Sequence, residues 1–234
     1  MESGITSNPF LGYYIIGIVF FLLSMAVSRM LVSKFKKYSK TPVRSGLTGR
    51  EIAEKMLRES GVEGVRVIST PGSLSDHYNP LNKTVNLSPE VYNGANVAAA
   101  AVAAHECGHA VQHARSYAFL EMRSKLVPVI SISSRYMMWV ILAGVLMINT
   151  FPGLLLAGIV MFGLTTLFSF ITLPVEFDAS KRALVWLTEA DIARGEEYKQ
   201  AKSALNWAAS TYVVAALGSL ATLLYYIMIY LGRR

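Results

Sequence analysis

The sharpest chemistry in the chain lies in five consecutive residues, His105-Glu106-Cys107-Gly108-His109. Residues four apart on a helix share a face, so both imidazoles can reach one metal ion. Glu106 points near the same ion without having to bind it. Two ligands flanking a carboxylate suit metal-assisted hydrolysis, with Zn2+ as the ion and Glu106 as the general base. The bland reading is an ordinary helix with surface histidines. Against it, Ala98 to Ala104 are all small and apolar and, but for Val102, are alanines, so helix propensity predicts a helix over 98–114 with the motif late in it.

A catalytic zinc needs a third protein ligand and an open fourth position. His113 continues the same face, but at eight residues from His105 it lies about 12 Å further along the axis. It is read as a surface residue or as support for a ligand. Gln112 and Arg115 stand where a longer metzincin pattern would need Gly and His. Further along, Glu176, Asp178 and Glu189 are the nearby carboxylates after a long apolar stretch. Glu176 and Asp178 on one helix point about 200° apart, so only one can face the ion. The residues alone leave that choice open, and each could instead pair with Lys181 or Arg182.

Membrane-spanning elements must position these groups. Of the 234 residues only 16% are charged and 53% are hydrophobic, against roughly 25% charged in an ordinary soluble protein. Phe10 to Ser28, Tyr136 to Val175 and Ser203 to Gly232 carry no charge at all, and apolar runs of about 18 or more residues read as transmembrane helices. A purely soluble enzyme is excluded. So is a secreted disulfide scaffold, because Cys107 is the single cysteine. The stretch 126–174 is too long for one crossing and divides at Asn149-Thr150-Phe151-Pro152-Gly153. The expected spans are 10–32, 126–148, 154–173 and about 208–230.

Five segments follow from this reading: a signal-anchor span over 1–32, a cytoplasmic α+β segment over 33–125, a helical hairpin over 126–173, a cytoplasmic helical segment over 174–206 and a final span over 207–234. The first span has an acidic lead-in at Glu2 and no small-residue cleavage site, so it is expected to be retained. Lys34, Lys36, Lys37, Lys40 and Arg44 follow it, which places the N-terminus outside and the site on the cytoplasmic side of the plasma membrane. Two crossings return the chain to the side it left, and the two polar segments hold 18 of the 22 Lys and Arg, 13 and 5 respectively. Arg233 and Arg234 are a small violation. Arg135 falls inside the second span, where a charge is costly unless it snorkels.

Within the polar segments, Thr48-Gly49-Arg50-Glu51 is a capping box opening an amphipathic helix with Ile52, Ala53, Met56 and Leu57 on one face and a stop at Gly61. Val65 to Ser69 reads as a strand, Ser75 to Leu87 as a hairpin turning at Asn79-Pro80-Leu81-Asn82, and Ser88-Pro89-Glu90 as a helix start. A second capping pattern stands at Thr188-Glu189-Ala190-Asp191, and a long helix is expected from about Gly195 into the last span. The fold class is thus a mainly α membrane protein, with four transmembrane helices and a small α+β zincin-like cytoplasmic domain. The net charge of +7 is read as attraction to anionic headgroups. Nucleic acid is not expected, since no interleaved aromatics or recognised module accompany the basic residues.

The segments His105-Glu106-Cys107-Gly108-His109-Ala110 and Pro174-Val175-Glu176-Phe177-Asp178-Ala179-Ser180 resemble those of the YugP-like membrane zinc metallopeptidases. The likeness covers nearly the whole chain, including the four-span layout and Ser75-Asp76-His77-Tyr78-Asn79-Pro80. More distantly the motifs and their order look like those of gluzincins related to HtpX and the CAAX prenyl protease. The resemblance implies that Glu176 is the third zinc ligand. In the HtpX-type pattern an aspartate four residues later supports a zinc histidine; Ser180 stands there, so that role falls to Ser180, Asp178 or another residue. The resemblance also places Lys83 to Leu87 beside the cleft as an edge strand able to take a peptide by strand addition.

The function expected is that of an integral-membrane zinc metalloendopeptidase. Zinc-activated water, with Glu106 as base, would hydrolyse peptide bonds of membrane-associated or unfolded proteins. His77, Tyr78, Tyr92 and Arg182 are, by residue type, the candidates for contacting the oxyanion or the substrate, although His77 also reads as a turn residue. Cys107 is expected to be packed and reduced. The partners expected are a peptide or protein substrate and the lipid bilayer. Because little mass lies outside the membrane, assembly with itself or with a membrane adaptor is also expected. The alternative is a metal-binding membrane scaffold or adaptor of weak or no proteolytic activity. A transporter would place polar residues deep in several spans, and apart from Arg135 these spans are bland.

Overall fold

The computed structural model describes residues 9–232; the readings that concern Glu2, Arg233 and Arg234 lie outside them. Its elements are α1 Pro9–Tyr38, α2 Gly49–Glu59, β1 Arg66–Ser69, β2 His77–Asn79, β3 Thr84–Leu87, α3 Pro89–Tyr92, α4 Val97–Ala114, α5 Ala118–Leu146, α6 Pro152–Glu189 and α7 Glu196–Leu231. The molecule is a mainly α membrane protein. Among the described residues four helices, α1, α5, α6 and α7, are long and apolar enough to cross a bilayer, and one small sheet accompanies them.

The chain divides into two compact units. One comprises residues up to 26, 122–173 and from 211 onward; the other comprises Val27–Glu121 and Pro174–Ser210. In the first, Ile141, Leu155 and Ile159 are buried together, with Phe162, Leu223 and Tyr226 packed around them. Gly144 allows a close approach of α5 to α6: a Cβ there would stand 2.5 Å from the Leu155 Cα. Small residues let membrane helices pack backbone to backbone, where lipid tails supply no hydrophobic drive. Arg135 is exposed on α5.

The second unit is built on α2 and α4. The Thr48 backbone N–H donates to Glu51 Oε2 at 2.8 Å, while the Glu51 N–H donates to Thr48 Oγ1 at 3.3 Å, completing the capping box. Ile52, Ala53, Met56 and Leu57 are buried as the pattern predicts, against the alanines of α4. The core continues through Val85, Leu87, Val91, Ala183, Leu187 and Leu205. Trp186 Nε1 donates to Glu59 Oε2 at 3.0 Å, and the Tyr38 hydroxyl donates to Ser203 Oγ at 3.1 Å.

Three local expectations change. In the sheet, β3 pairs in parallel with β1 and antiparallel with β2, giving the order β1-β3-β2. Thr84 to Leu87 is therefore the buried central strand and not an edge; the edge beside α4 is β2. The pattern at Thr188 does not start a helix. Thr188 Oγ1 donates back to the Leu184 carbonyl at 2.9 Å within the last turn of α6. Finally, α6 runs unbroken from Pro152 to Glu189, so Glu176, Asp178 and Ser180 all lie on one continuous helix.

Candidate metal centre

Two helices supply the centre. On α4, His105 and His109 stand one turn apart with ring centroids 4.7 Å apart. On α6, Glu176 points between them: its Oε2 is 3.3 Å from His105 Nε2 and 3.6 Å from His109 Nε2. One donor atom from each of the three lies within 4.8 Å of the others. Zinc bonds of about 2.1 Å in a tetrahedron put neighbouring donors about 3.4 Å apart, so these residues fit the ion in both chemistry and spacing.

Gly108 permits this meeting. A Cβ on it would stand 2.6 Å from the Ala179 carbonyl oxygen, so only glycine lets α4 lie this close to the part of α6 that carries Glu176. Glu176 is 3% exposed and His109 and Glu106 are each 8% exposed. Carboxylate and imidazole at such depth need partners.

Each histidine is held from behind. His105 Nδ1 is 3.1 Å from Ser180 Oγ, so a serine occupies the position of the aspartate in the HtpX-type pattern. His109 Nδ1 is 3.1 Å from Gln112 Oε1. The Gln112 amide in turn donates to the Val175 carbonyl and to Asp178 Oδ2, both at 2.8 Å. Arg182 Nε donates to the same Asp178 oxygen, and the guanidinium lies over the Tyr117 ring. Gln112 is fully buried. In the sequence Gln112 shows only as a mismatch to the metzincin pattern and as the one amide side chain of α4, three residues after His109.

Glu106 is oriented by the edge strand. Its Oε2 accepts the backbone N–H of Tyr78 at 2.9 Å. The Tyr78 hydroxyl pairs with Nδ1 of the exposed His113 at 2.8 Å, so His113 acts on β2 and not on the histidine pair. Nearby, Asp76 accepts from the Ser88 backbone N–H at 2.7 Å and from its hydroxyl at 3.2 Å.

His77 is exposed as the first residue of β2, with its Nδ1 2.8 Å from the Ser75 carbonyl, so it is a strand residue and not part of a turn. Tyr92 is turned to other work, its ring under the Arg50 guanidinium. Of the four candidates for substrate contact, His77 and Tyr78 thus share the strand beside Glu106. Arg182 is engaged with Asp178, and Tyr92 belongs to the α2 end of the unit.

The electrostatics follow from burial and from two acids, Glu106 and Glu176. Burial works against a charge on His109, but the hydrogen bond to Glu176 and the charges of Glu106 and Glu176 outweigh it, holding its pKa above the ordinary 6.5. Burial pushes Asp76 up against the opposing Ser88 hydrogen bonds, with the Glu106 charge adding to the rise. Burial, and secondarily the Glu106 charge, push the Cys107 thiol well above its usual range, and its Sγ lies 3.5 Å from the Ala53 carbonyl. Cys107 is packed, as expected.

The family model described as "Putative neutral zinc metallopeptidase" matches residues 13–231. The chain belongs to this family. Zinc is accordingly its cofactor. The chain is also 42% identical over 202 residues to "Putative membrane protease YugP" of Bacillus subtilis (strain 168), covering 86% of this chain and 89% of that protein. No solved structure gives a significant match.

Proposed function

We propose that this membrane metallopeptidase is a gluzincin-type endopeptidase in which His105, His109 and Glu176 hold the zinc and Glu106 is the general base. The observation that carries the reading is the convergence of Glu176 Oε2 on both Nε2 atoms at 3.3 and 3.6 Å. When bound, the ion would polarise the scissile carbonyl and make a water molecule acidic enough to lose a proton near neutrality. Glu106 takes that proton and passes it to the leaving amine. Its Oε2 is engaged by the Tyr78 N–H, so proton transfer is assigned to Oε1. The β2 edge, His77–Asn79, is assigned the extended substrate, with His77 and Tyr78 as contact residues; Asp178, Ser180 and Gln112 support the ligands.

The substrates that fit are membrane-associated or unfolded proteins. Four helices apolar enough to cross a bilayer support a membrane-associated substrate, and pairing with an edge strand needs an extended peptide. The basic cluster after the first span supports a cytoplasmic site in the plasma membrane.

The test is hydrolysis of an unfolded, casein-like substrate by the full chain in detergent, with zinc content measured in parallel. Glu106→Gln is expected to keep zinc and lower the turnover rate by about 100-fold or more, the scale of a lost general base. Equal cleavage by wild type and Glu106→Gln would overturn the reading and favour a metal-binding scaffold.

A further inference from the structure

The two histidines are held from behind by groups of different character. Ser180 presents a hydroxyl to His105, and a hydroxyl rotates to donate or accept as required. Gln112 presents an amide to His109, and an amide has a fixed polarity. Its nitrogen end faces the Val175 carbonyl and the Asp178 carboxylate, each at 2.8 Å. The Val175 carbonyl can only accept, and the Asp178 oxygen already accepts from Arg182 Nε. The NH2 group must therefore face them, which leaves Oε1 toward His109. An amide oxygen only accepts, so His109 Nδ1 must carry a proton, and Nε2, which faces Glu176, is the nitrogen left to bind the ion once its own proton is displaced.

We infer that Gln112 is a positioning residue that fixes the ligand tautomer of His109, and that Asp178 and Arg182 fix the direction of Gln112. This deepens the metal-holding role proposed above and rests on it. The relay runs Arg182, Asp178, Gln112, His109, with the first two on α6 and the last two on α4. It reverses the usual order, in which a carboxylate meets the histidine directly: here a neutral amide stands between the two and transmits orientation without adding a buried charge beside the ion. Complete burial of Gln112 makes the arrangement stringent, because an amide turned the other way would set two acceptors against its oxygen.

The experiment uses the full chain in detergent, loaded with zinc, and two readouts independent of turnover. The first is zinc affinity by chelator competition. Gln112→Met, which keeps length and removes both hydrogen-bonding ends, is expected to weaken zinc binding by about 10- to 100-fold, the scale for support of a metal-bound histidine. The second is nitrogen-15 NMR of the imidazole rings, assigned by single histidine substitutions. Wild type is expected to show a His109 Nδ1–H protected from solvent exchange, and Gln112→Met to lose that protection while the His105 ring signals stay in place. The wild-type measurement needs no substitution. Exchange of the His109 ring proton as fast as that of exposed His77, or unchanged zinc affinity in folded Gln112→Met, would overturn the inference. Failure of wild type to bind zinc would instead strike the metal-holding role itself.

Discussion

The two units of this chain pack helices by the same device and use the result differently. In the membrane unit, Gly144 brings α5 against the backbone of Leu155, and what surrounds the contact is Ile141, Ile159 and Phe162. In the site unit, Gly108 brings α4 against the backbone of Ala179, and what surrounds that contact is His105, His109, Glu176, Gln112 and Ser180. A glycine contact by itself is thus only a way to shorten a distance. Chemistry arises where the shortened distance lets buried polar groups satisfy one another, and here each of the two histidines has a second partner behind it. That pattern separates a working centre from a packing contact more sharply than burial does.

The comparison can be broken most directly at the two glycines. Gly108→Ala would drive a Cβ to 2.6 Å from the Ala179 carbonyl. A backbone atom cannot swing aside, so the cost lies at the upper end of the overpacking range, about 3 kcal/mol. Better helix propensity returns about 1 kcal/mol, leaving a net loss of about 2 kcal/mol together with the zinc site. Gly144→Ala carries a similar clash, yet is expected to leave zinc affinity within about threefold of wild type. Thermal melts and chelator competition on both variants test the contrast; zinc loss of equal size in the two would erase it.

A smaller effect sharpens the electrostatic side. The raised pKa of His109 in the metal-free protein stabilises the fold fully below 6.5, its unperturbed value, and that contribution disappears as pH rises through the folded value. Chelator-treated protein should therefore melt at a lower temperature at pH 8 than at pH 6. Zinc must displace a proton to bind imidazole, so the stabilisation added by zinc should grow over the same interval. Parallel pH trends with and without the metal would contradict this. The smallest change concerns Cys107. Its thiol is buried and its pKa is pushed well above the ordinary range, so alkylation in the native protein at pH 8 should be at least about 100-fold slower than in denaturant. Rapid native labelling would show that the α4–α2 core opens.

How much was legible in the sequence varied with the range of the interaction. The histidine pair and Glu106 follow from spacing within one helical turn, and the buried face of α2 follows from its capping box and period. Glu176 against Asp178 was open because the two differ by two residues on a helix whose phase is set by contacts with α4, more than sixty residues earlier in the chain. Gln112 and Gly108 were in plain view, but their roles depend on Val175, Asp178 and Ala179 across that same gap. The edge position of β3 is what the resemblance implies; nothing local corrects it, because its parallel partner β1 lies before the hairpin and parallel pairing leaves no short-range turn signal. At Thr188 the hydroxyl that would cap a new helix bonds backward along α6 instead, a competition that local composition does not decide.

The central claim, that two imidazoles of α4 and one carboxylate of α6 share a single zinc ion, is tested most directly by the zinc stoichiometry and affinity of Glu176→Ala beside wild type, measured in the full detergent-solubilised chain. The account predicts one tightly held zinc per wild-type chain and loss of at least about 100-fold in affinity when the carboxylate is removed. Unchanged affinity and stoichiometry in a folded Glu176→Ala protein would contradict it.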